Sequence, residues 1–421
     1  MEFSSLLPSI PKLRTDFRYG ASLRGHAVEG EDFASDWWHW EQRPGRIADG
    51  TTSAEGAGHL SRFREDATLA NTLGLNTVLI SLSWARIIPE RGEVDSSALS
   101  HYRERLSAFQ KHGVEPFVVL WDTAVPQWFA ARGYWRARGA CEDFSVYAGV
   151  VFEALKGHCT HWVPLANPAE WLGQAYGGLW PGGEGGWRGA LRTIRNLARS
   201  HVDAVRRLRD IQPDTRAGLW LSVAKDVPED PHSPWDLRAA RGFGGTSAAD
   251  LTRALDDAQS HDFLIAANCE TRPIRFSPSR PATGFARHVV APSAARGAGL
   301  ADLLMNRMTK PTPLYLAFDG AAAHDDASRN AALLDDLHAA ALAEASGLDV
   351  RGCFFGPLLD GFEWTEGYAD RRGLVHVSRE TMARTPNPSA FLLRDIARAG
   401  GITEGVVARH APKWKPDLEE R

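Results

Sequence analysis

The chain has 421 residues, 43% of them hydrophobic, which is ample for a large buried core. Its 48 basic and 52 acidic residues leave a formal charge of -4, too weak a field to recruit nucleic acid or an anionic membrane surface. No apolar run approaches the roughly 20 residues needed to span a bilayer, and the opening Met1 to Pro8 lacks the basic and apolar regions of a signal peptide, so a cytoplasmic setting is expected.

Apolar, β-branched runs alternate with helical periods along the whole chain. Tyr19 to Ser22 opens the series of predicted strands, followed by Asn76 to Leu82, Glu115 to Trp121 and His161 to Leu165. Ala217 to Val223, Phe263 to Ala267, Pro313 to Phe318 and Val350 to Phe355 complete it. Runs apolar on both faces suit a parallel sheet covered by helices. Between them, residues 55–73, 97–111, 188–208 and 327–344 carry helical patterns, the first stopping at Gly74 and the second before Gly113. Eight strands alternating with helices predict an α/β fold of the (β/α)8 TIM-barrel type, as one domain over residues 1–421 with a frayed tail after about residue 409. A doubly wound open sheet is the rival, disfavoured because no glycine-rich phosphate loop follows the first strand. The glycine-rich stretch Tyr176 to Trp187 and the polar stretch Lys225 to Thr246 are read as loops on the ligand-binding face of the barrel.

Cys141, Cys159, Cys269 and Cys353 lie far apart with no CxxC spacing, and the histidines show no HxH or HExxH spacing, so neither a disulfide framework nor a metal site is expected. No cofactor motif is present in these patterns. The 15 tryptophans are numerous; most should fill core space, and some could offer flat faces to sugar rings.

Ordered motifs carry a specific resemblance. Phe17 to Ser22, His26-Ala27-Val28-Glu29-Gly30, Ser35-Asp36-Trp37-Trp38, Phe63-Arg64-Glu65-Asp66, Ser81 to Pro89, Leu120 to Gln127 and Leu358 to Trp364 occur in series. Together they resemble glycoside hydrolase family 1, the β-glucosidase family, from about residue 17 to residue 395. The resemblance implies that Asn167 stands at the acid/base position and Phe318 at the nucleophile position, where the family has glutamates. It further implies that Ala27, Asp122, Ala166 and Gly356 replace residues that meet the sugar, whereas Arg86, Trp121, Glu363 and Trp364 are retained or near-equivalent.

Retaining hydrolysis needs two carboxyl groups about 5–5.5 Å apart, one attacking the anomeric carbon and one exchanging a proton. Asn167 has no exchangeable proton near neutral pH, and Phe318 has no lone pair. The expectation is therefore a pseudoenzyme: a saccharide- or partner-binding barrel in carbohydrate metabolism, with Arg86, Trp121, Asp122, Glu363 and Trp364 as ligand-binding candidates. The alternative is a rebuilt enzyme site using Asp122, Glu270 and Glu363 for inverting hydrolysis, lyase or epimerase chemistry. A third reading makes Phe318 a plug packed on Trp121 and Trp364. Asp319 reads as a turn residue and Asp360 as structural. Arg86, whose family partner is missing, is expected to pair with Asp122 or another nearby acid.

Overall fold

The computed structural model describes residues 10–241, 254–255, 260–276, 287–289, 293–294, 297–307, 311–320 and 325–416. Eight parallel strands close into a barrel: β1 (Arg18–Leu23), β2 (Thr77–Ser81), β3 (Glu115–Trp121), β4 (His161–Leu165), β5 (Arg216–Pro228), β6 (Phe263–Phe276), β7 (Leu314–Phe318) and β8 (Val350–Pro357). Each pairs with the next in sequence, and β8 closes onto β1. The predicted (β/α)8 architecture is therefore the observed one.

The strands form because their residues can be buried on both faces. In β2 all of Thr77 to Ser81 are buried, as are Pro116 to Trp121 of β3. Alternate residues point inward and fill the barrel with aromatic rings: Phe117 meets Tyr315 at 5.1 Å, Phe354 at 5.5 Å and Phe263 at 5.6 Å. Such large rings require small neighbours. A Cβ on Gly20 would lie 2.6 Å from the Phe354 ring, and one on Gly218 would lie 2.2 Å from Phe263.

Helices pack around this sheet. α1 (His59–Thr72), α2 (Ser96–Lys111), α3 (Ala140–Ala154), α4 (Pro168–Tyr176), α5 (Gly186–Ile211), α6 (Gly297–Arg307), α7 (Asp326–Ala345) and α8 (Pro388–Ala399) are the main ones. α1 starts four residues later than the predicted 55–73 because Gly56 and Gly58 take φ of +52° and +64°, outside the helical region. α2 and α7 begin where Asp95 and Asp325 accept backbone N–H bonds as caps. Among the described residues, no helix is long and apolar enough to cross a membrane.

Two expectations need correction. Residues 225–246 are not a plain loop: β5 continues to Pro228 in register with Ile274 of β6, and a short helix follows at Pro234–Arg241. The two strands overrun the barrel rim because each supplies the other's hydrogen bonds there; residues 242–246 lie outside the described set. The tail after residue 409 is not loose at its start. A helix runs to His410, and the buried Trp414 donates its indole N–H to Asp335 at 2.8 Å.

Candidate functional site

The C-terminal ends of the strands surround a cleft of about 300 Å³, open at one side. Its volume sits at the lower end of the range for small-molecule sites, about 300–1,000 Å³. Its walls are Trp180, Trp220, Trp364, Phe318 and Phe354, and its polar groups come from Arg24, Glu170, Asp319, Glu363, Asp370 and Arg372. Burial on a flat aromatic wall beside converging polar groups is the arrangement a sugar ring requires, with apolar C–H faces and polar edges.

Arg24 follows β1 directly and ends up inside the cleft wall. Its guanidinium grips Asp122, the residue after β3, through two bonds of 2.7 and 2.9 Å. Ser81 at the end of β2 donates to the same carboxylate at 3.1 Å and accepts from Gly25 N–H at 2.7 Å. Burial works against the charge on Arg24, but Asp122 more than offsets it and the guanidinium stays protonated. Arg24 also lies over the Trp364 ring, 5.0 Å from its centroid.

Asn167 follows β4 in a left-handed conformation, φ 38° and ψ 54°, and is nearly sealed. Its side-chain oxygen accepts from Ser222 N–H and Ser222 Oγ, each at 2.9 Å, and its NH2 donates to Glu170 at 2.7 Å. The amide is thus held on both sides, and the group it presents to the cleft is Glu170, in the first turn of α4. Burial, then the neighbouring Asp319, pushes the Glu170 carboxyl up to about 7. Burial also pushes Glu363 up to about 7, against the pull of Arg24 and Arg372. Two half-buried carboxyls poised near neutrality therefore share one cleft and one arginine.

Trp364 is the aromatic anchor. It holds φ 51°, unusual for a bulky residue, and stacks on His26 at 5.7 Å with rings 6° apart. Trp37 and Trp180 pack on it at 4.6 and 5.7 Å. His26 is itself clamped between Asp32 and Glu41; burial opposes its charge, but those partners raise it to about 9.

The sequence-derived candidates separate clearly. Glu363 and Trp364 line the cleft, as does Phe318, half-buried and stacked on Phe355 at 6.0 Å. Trp121 is fully buried against Trp135 and Trp171, so Phe318 does not plug the barrel against it and the cleft stays open. Asp122 reaches the cleft only through Arg24. Arg86 pairs with Glu29 at 3.2 Å and donates to Gly30 O at 2.6 Å, so its acid is Glu29 rather than Asp122. Glu270 lies in the extended part of β6, paired along the backbone with Ala224 and Ala294; its side chain lies outside what is described. Asp319 lies on the cleft rim, and Asp360 binds His376 at 2.8 Å and Gly373 N–H at 2.9 Å.

Arg24, Glu170, Asp370 and Arg372 were not singled out by motif reading. A usable signal existed for Glu170: Asn-Pro-Ala-Glu at a strand end starts a helix with proline first and an acid in its first turn, on the face where barrel ligands bind. Among the described residues, no group of three or more His, Cys, Asp or Glu side chains could hold a metal ion.

Comparison with known proteins gives a consistent picture. The sequence pattern described as glycosyl hydrolase family 1 matches residues 10–246 and 264–402. A beta-glucosidase A from Thermotoga maritima is 25% identical over 94% of this chain and 100% of its own length. A thermostable beta-glucosidase B from Thermobispora bispora is 28% identical over 92% of this chain and 91% of its own length. Among solved structures, a family 1 β-glucosidase from Thermotoga maritima superposes with a TM-score of 0.82 at 23% identity, over 94% of this chain and 100% of that one. A psychrophilic beta-glucosidase from Micrococcus antarcticus gives 0.81 at 25% identity, over 93% of this chain and 98% of that one.

Proposed function

The chain belongs to glycosyl hydrolase family 1, and from that premise we propose that it is a saccharide-binding member that does not hydrolyse glycosides by double displacement. The observation that carries this reading is the pair of strand-end positions. After β4 stands Asn167, its amide tied to Ser222 and Glu170; at the end of β7 stands Phe318, a hydrocarbon ring on the cleft wall. A retaining mechanism needs a carboxylate to attack and a second carboxyl to shuttle the proton. An amide and a phenyl ring supply neither. The cleft itself supports binding: it is open and lined by both tryptophans and polar side chains. Solved relatives from Thermotoga maritima include complexes with castanospermine and with glucoimidazole, which are sugar-like ligands.

A second reading is favoured by one observation, the convergence of Glu170 and Glu363 near neutral pKa in the same cleft. In that reading the pair performs acid–base chemistry on a bound sugar from new positions, with Asp122 serving to hold Arg24. The experiment that separates the two uses a panel of nitrophenyl glycosides on the wild type and on a Glu170→Gln, Glu363→Gln double variant, with calorimetric binding run alongside. Binding without turnover supports the proposal. Turnover in the wild type that vanishes in the double variant makes the second reading correct. No binding and no turnover removes the saccharide from both.

A further inference from the structure

The proposal above leaves open what in a ligand the cleft recognises, and one side chain on its wall bears on that. A guanidinium carries five N–H donors in a planar fork. In Arg24 the Nε hydrogen goes to Asp122 at 2.9 Å, and Nη2 serves Asp122 at 2.7 Å and Thr123 Oγ1 at 3.4 Å. The two donors on Nη1 have no acceptor among the described residues. The fork fixes where they point: with Nε and Nη2 turned to one carboxylate, Nη1 faces directly away from it. The Asp122 side chain is 4% exposed behind the wall, whereas that of Arg24 keeps 26% of its surface open and lines the cleft. Nη1 is therefore the end of Arg24 that meets the cleft. Ser81, bonded to the same carboxylate, and the Trp364 ring, 5.0 Å from the guanidinium, hold the fork in place.

We propose that Arg24 is a ligand-contacting specificity residue, whose Nη1 donates to one hydroxyl of a neutral sugar while that hydroxyl donates in turn to Glu170 or Glu363. The inference rests on the saccharide-binding reading and adds to it the residue and the ligand group that make the selection. After Asp122, the charges that act most on the guanidinium are Glu170 and Glu363, which line the same cleft and form no ion pair with it. Glu170 takes one hydrogen bond, from Asn167 on Oε2, and no hydrogen bond reaches the Glu363 carboxyl among the described residues. A donor on one side and acceptors on the other suit a hydroxyl, which offers both lone pairs and a proton. A carboxylate accepts only and would lie against the acids; an ammonium donates only and would lie against Nη1. The Arg24–Asp122 pair is neutral as a unit, so it calls for no charge on the ligand.

The test is isothermal titration calorimetry of the full chain with methyl β-glucoside and methyl β-galactoside, their 2-, 3-, 4- and 6-deoxy analogues and their uronates. Wild type is compared with R24K, which keeps a charge for Asp122 but gives up the fork, and with R24Q/D122N, which removes the pair without stranding a charge. A calorimetric melt checks that each variant is folded, and either one suffices for the comparison. The expected result is that one deoxy position weakens binding to wild type by about tenfold or more, the scale of a hydrogen bond to a charged group. Both variants should bind the parent sugar more weakly by a similar factor and become indifferent to that one position, while penalties at the other positions stay as they were. Equal binding of the parent and every deoxy analogue, a penalty pattern that survives the substitutions, or tighter binding of a uronate than of its parent overturns the inference and leaves the saccharide reading standing. Failure of every sugar to bind wild type defeats the saccharide reading itself, and the inference with it.

Discussion

Replacing Asn167 by alanine tests whether this position is a structural clamp. The amide makes three hydrogen bonds, to Ser222 N–H, Ser222 Oγ and Glu170, at 2.9, 2.9 and 2.7 Å. At about 0.5–1.5 kcal/mol net for each, their loss costs roughly 1.5–4.5 kcal/mol. Alanine must also hold φ 38° and ψ 54°, which asparagine tolerates better, adding about 1 kcal/mol. The total is roughly 2.5–5.5 kcal/mol. For a chain of this length the unfolding entropy near Tm is about 0.9 kcal/mol/K, so Tm should fall by about 3–6 °C. The assay is differential scanning calorimetry of wild type, Asn167→Ala and Asn167→Gly. The glycine variant loses the same bonds without the backbone strain and should sit about 1 °C above the alanine variant. Glu170 should also titrate higher in both, because the Asn167 amide stabilises its ionised form. A Tm drop under about 1 °C, together with an unchanged Glu170 titration by carbon-13 NMR, would refute the clamp.

Three further substitutions probe the barrel around the cleft. Glu29→Gln should cost about 3–5 kcal/mol, because Arg105 is 1% exposed, pairs with Glu29 at 2.7 Å, and would keep its charge with that partner gone; urea unfolding with an unchanged midpoint would contradict this. Asp36 is buried, and desolvation lifts its carboxyl to about 7 while Val125 N–H donates to it at 2.8 Å. Its folded value lies above its unfolded one, so it weakens the fold progressively as pH rises from about 4 to about 7, by up to about 1.4 kcal/mol per pH unit. Asp36→Asn should therefore gain on the wild type between pH 5 and 7 and hold a constant lead above pH 7; a lead independent of pH across Tm measurements speaks against the assignment. Gly20→Ala drives a Cβ to 2.6 Å from the Phe354 ring on the barrel axis, and an overpacking cost of about 1–3 kcal/mol should appear in calorimetry. A neutral Gly20→Ala would mean that Phe354 has room to move.

The fold was legible because its signal is collective and local at once. β3 and β4 coincide with the predicted runs, since apolar residues on both faces leave a strand no other place to go. The misjudged strand limits share one cause. β5 and β6 extend past the barrel through polar residues such as Lys225 and Asp226, where backbone pairing with the partner strand holds the extension. Pairing between distant segments leaves no mark on either sequence alone.

The site was legible by position but not by role. Motif order placed Asn167, Phe318, Glu363 and Trp364 at strand ends, and three of these meet the cleft as wall groups. Which acid faces the ligand depends on three-dimensional competition for partners. Asp122 and Glu170 both follow barrel strands, yet Asp122 is taken by Arg24 and Ser81, whereas Glu170 receives only a neutral amide and is left to the cleft. Asp122, taken by Arg24, is tied into the wall, whereas Glu170, without a cation partner, has its carboxyl pushed up to about 7 by burial and lines the cleft. The same competition explains Arg86. Glu29, also bound by Arg105 and Tyr102, anchors it behind the cleft, so an arginine that resemblance assigns to the sugar site instead braces the one-turn helix that carries Glu29. Among the described residues, the cleft-lining acids outside any ion pair are Glu170, Asp319, Glu363 and Glu366, and of these Glu170 and Glu363 have carboxyls pushed up to about 7 by burial.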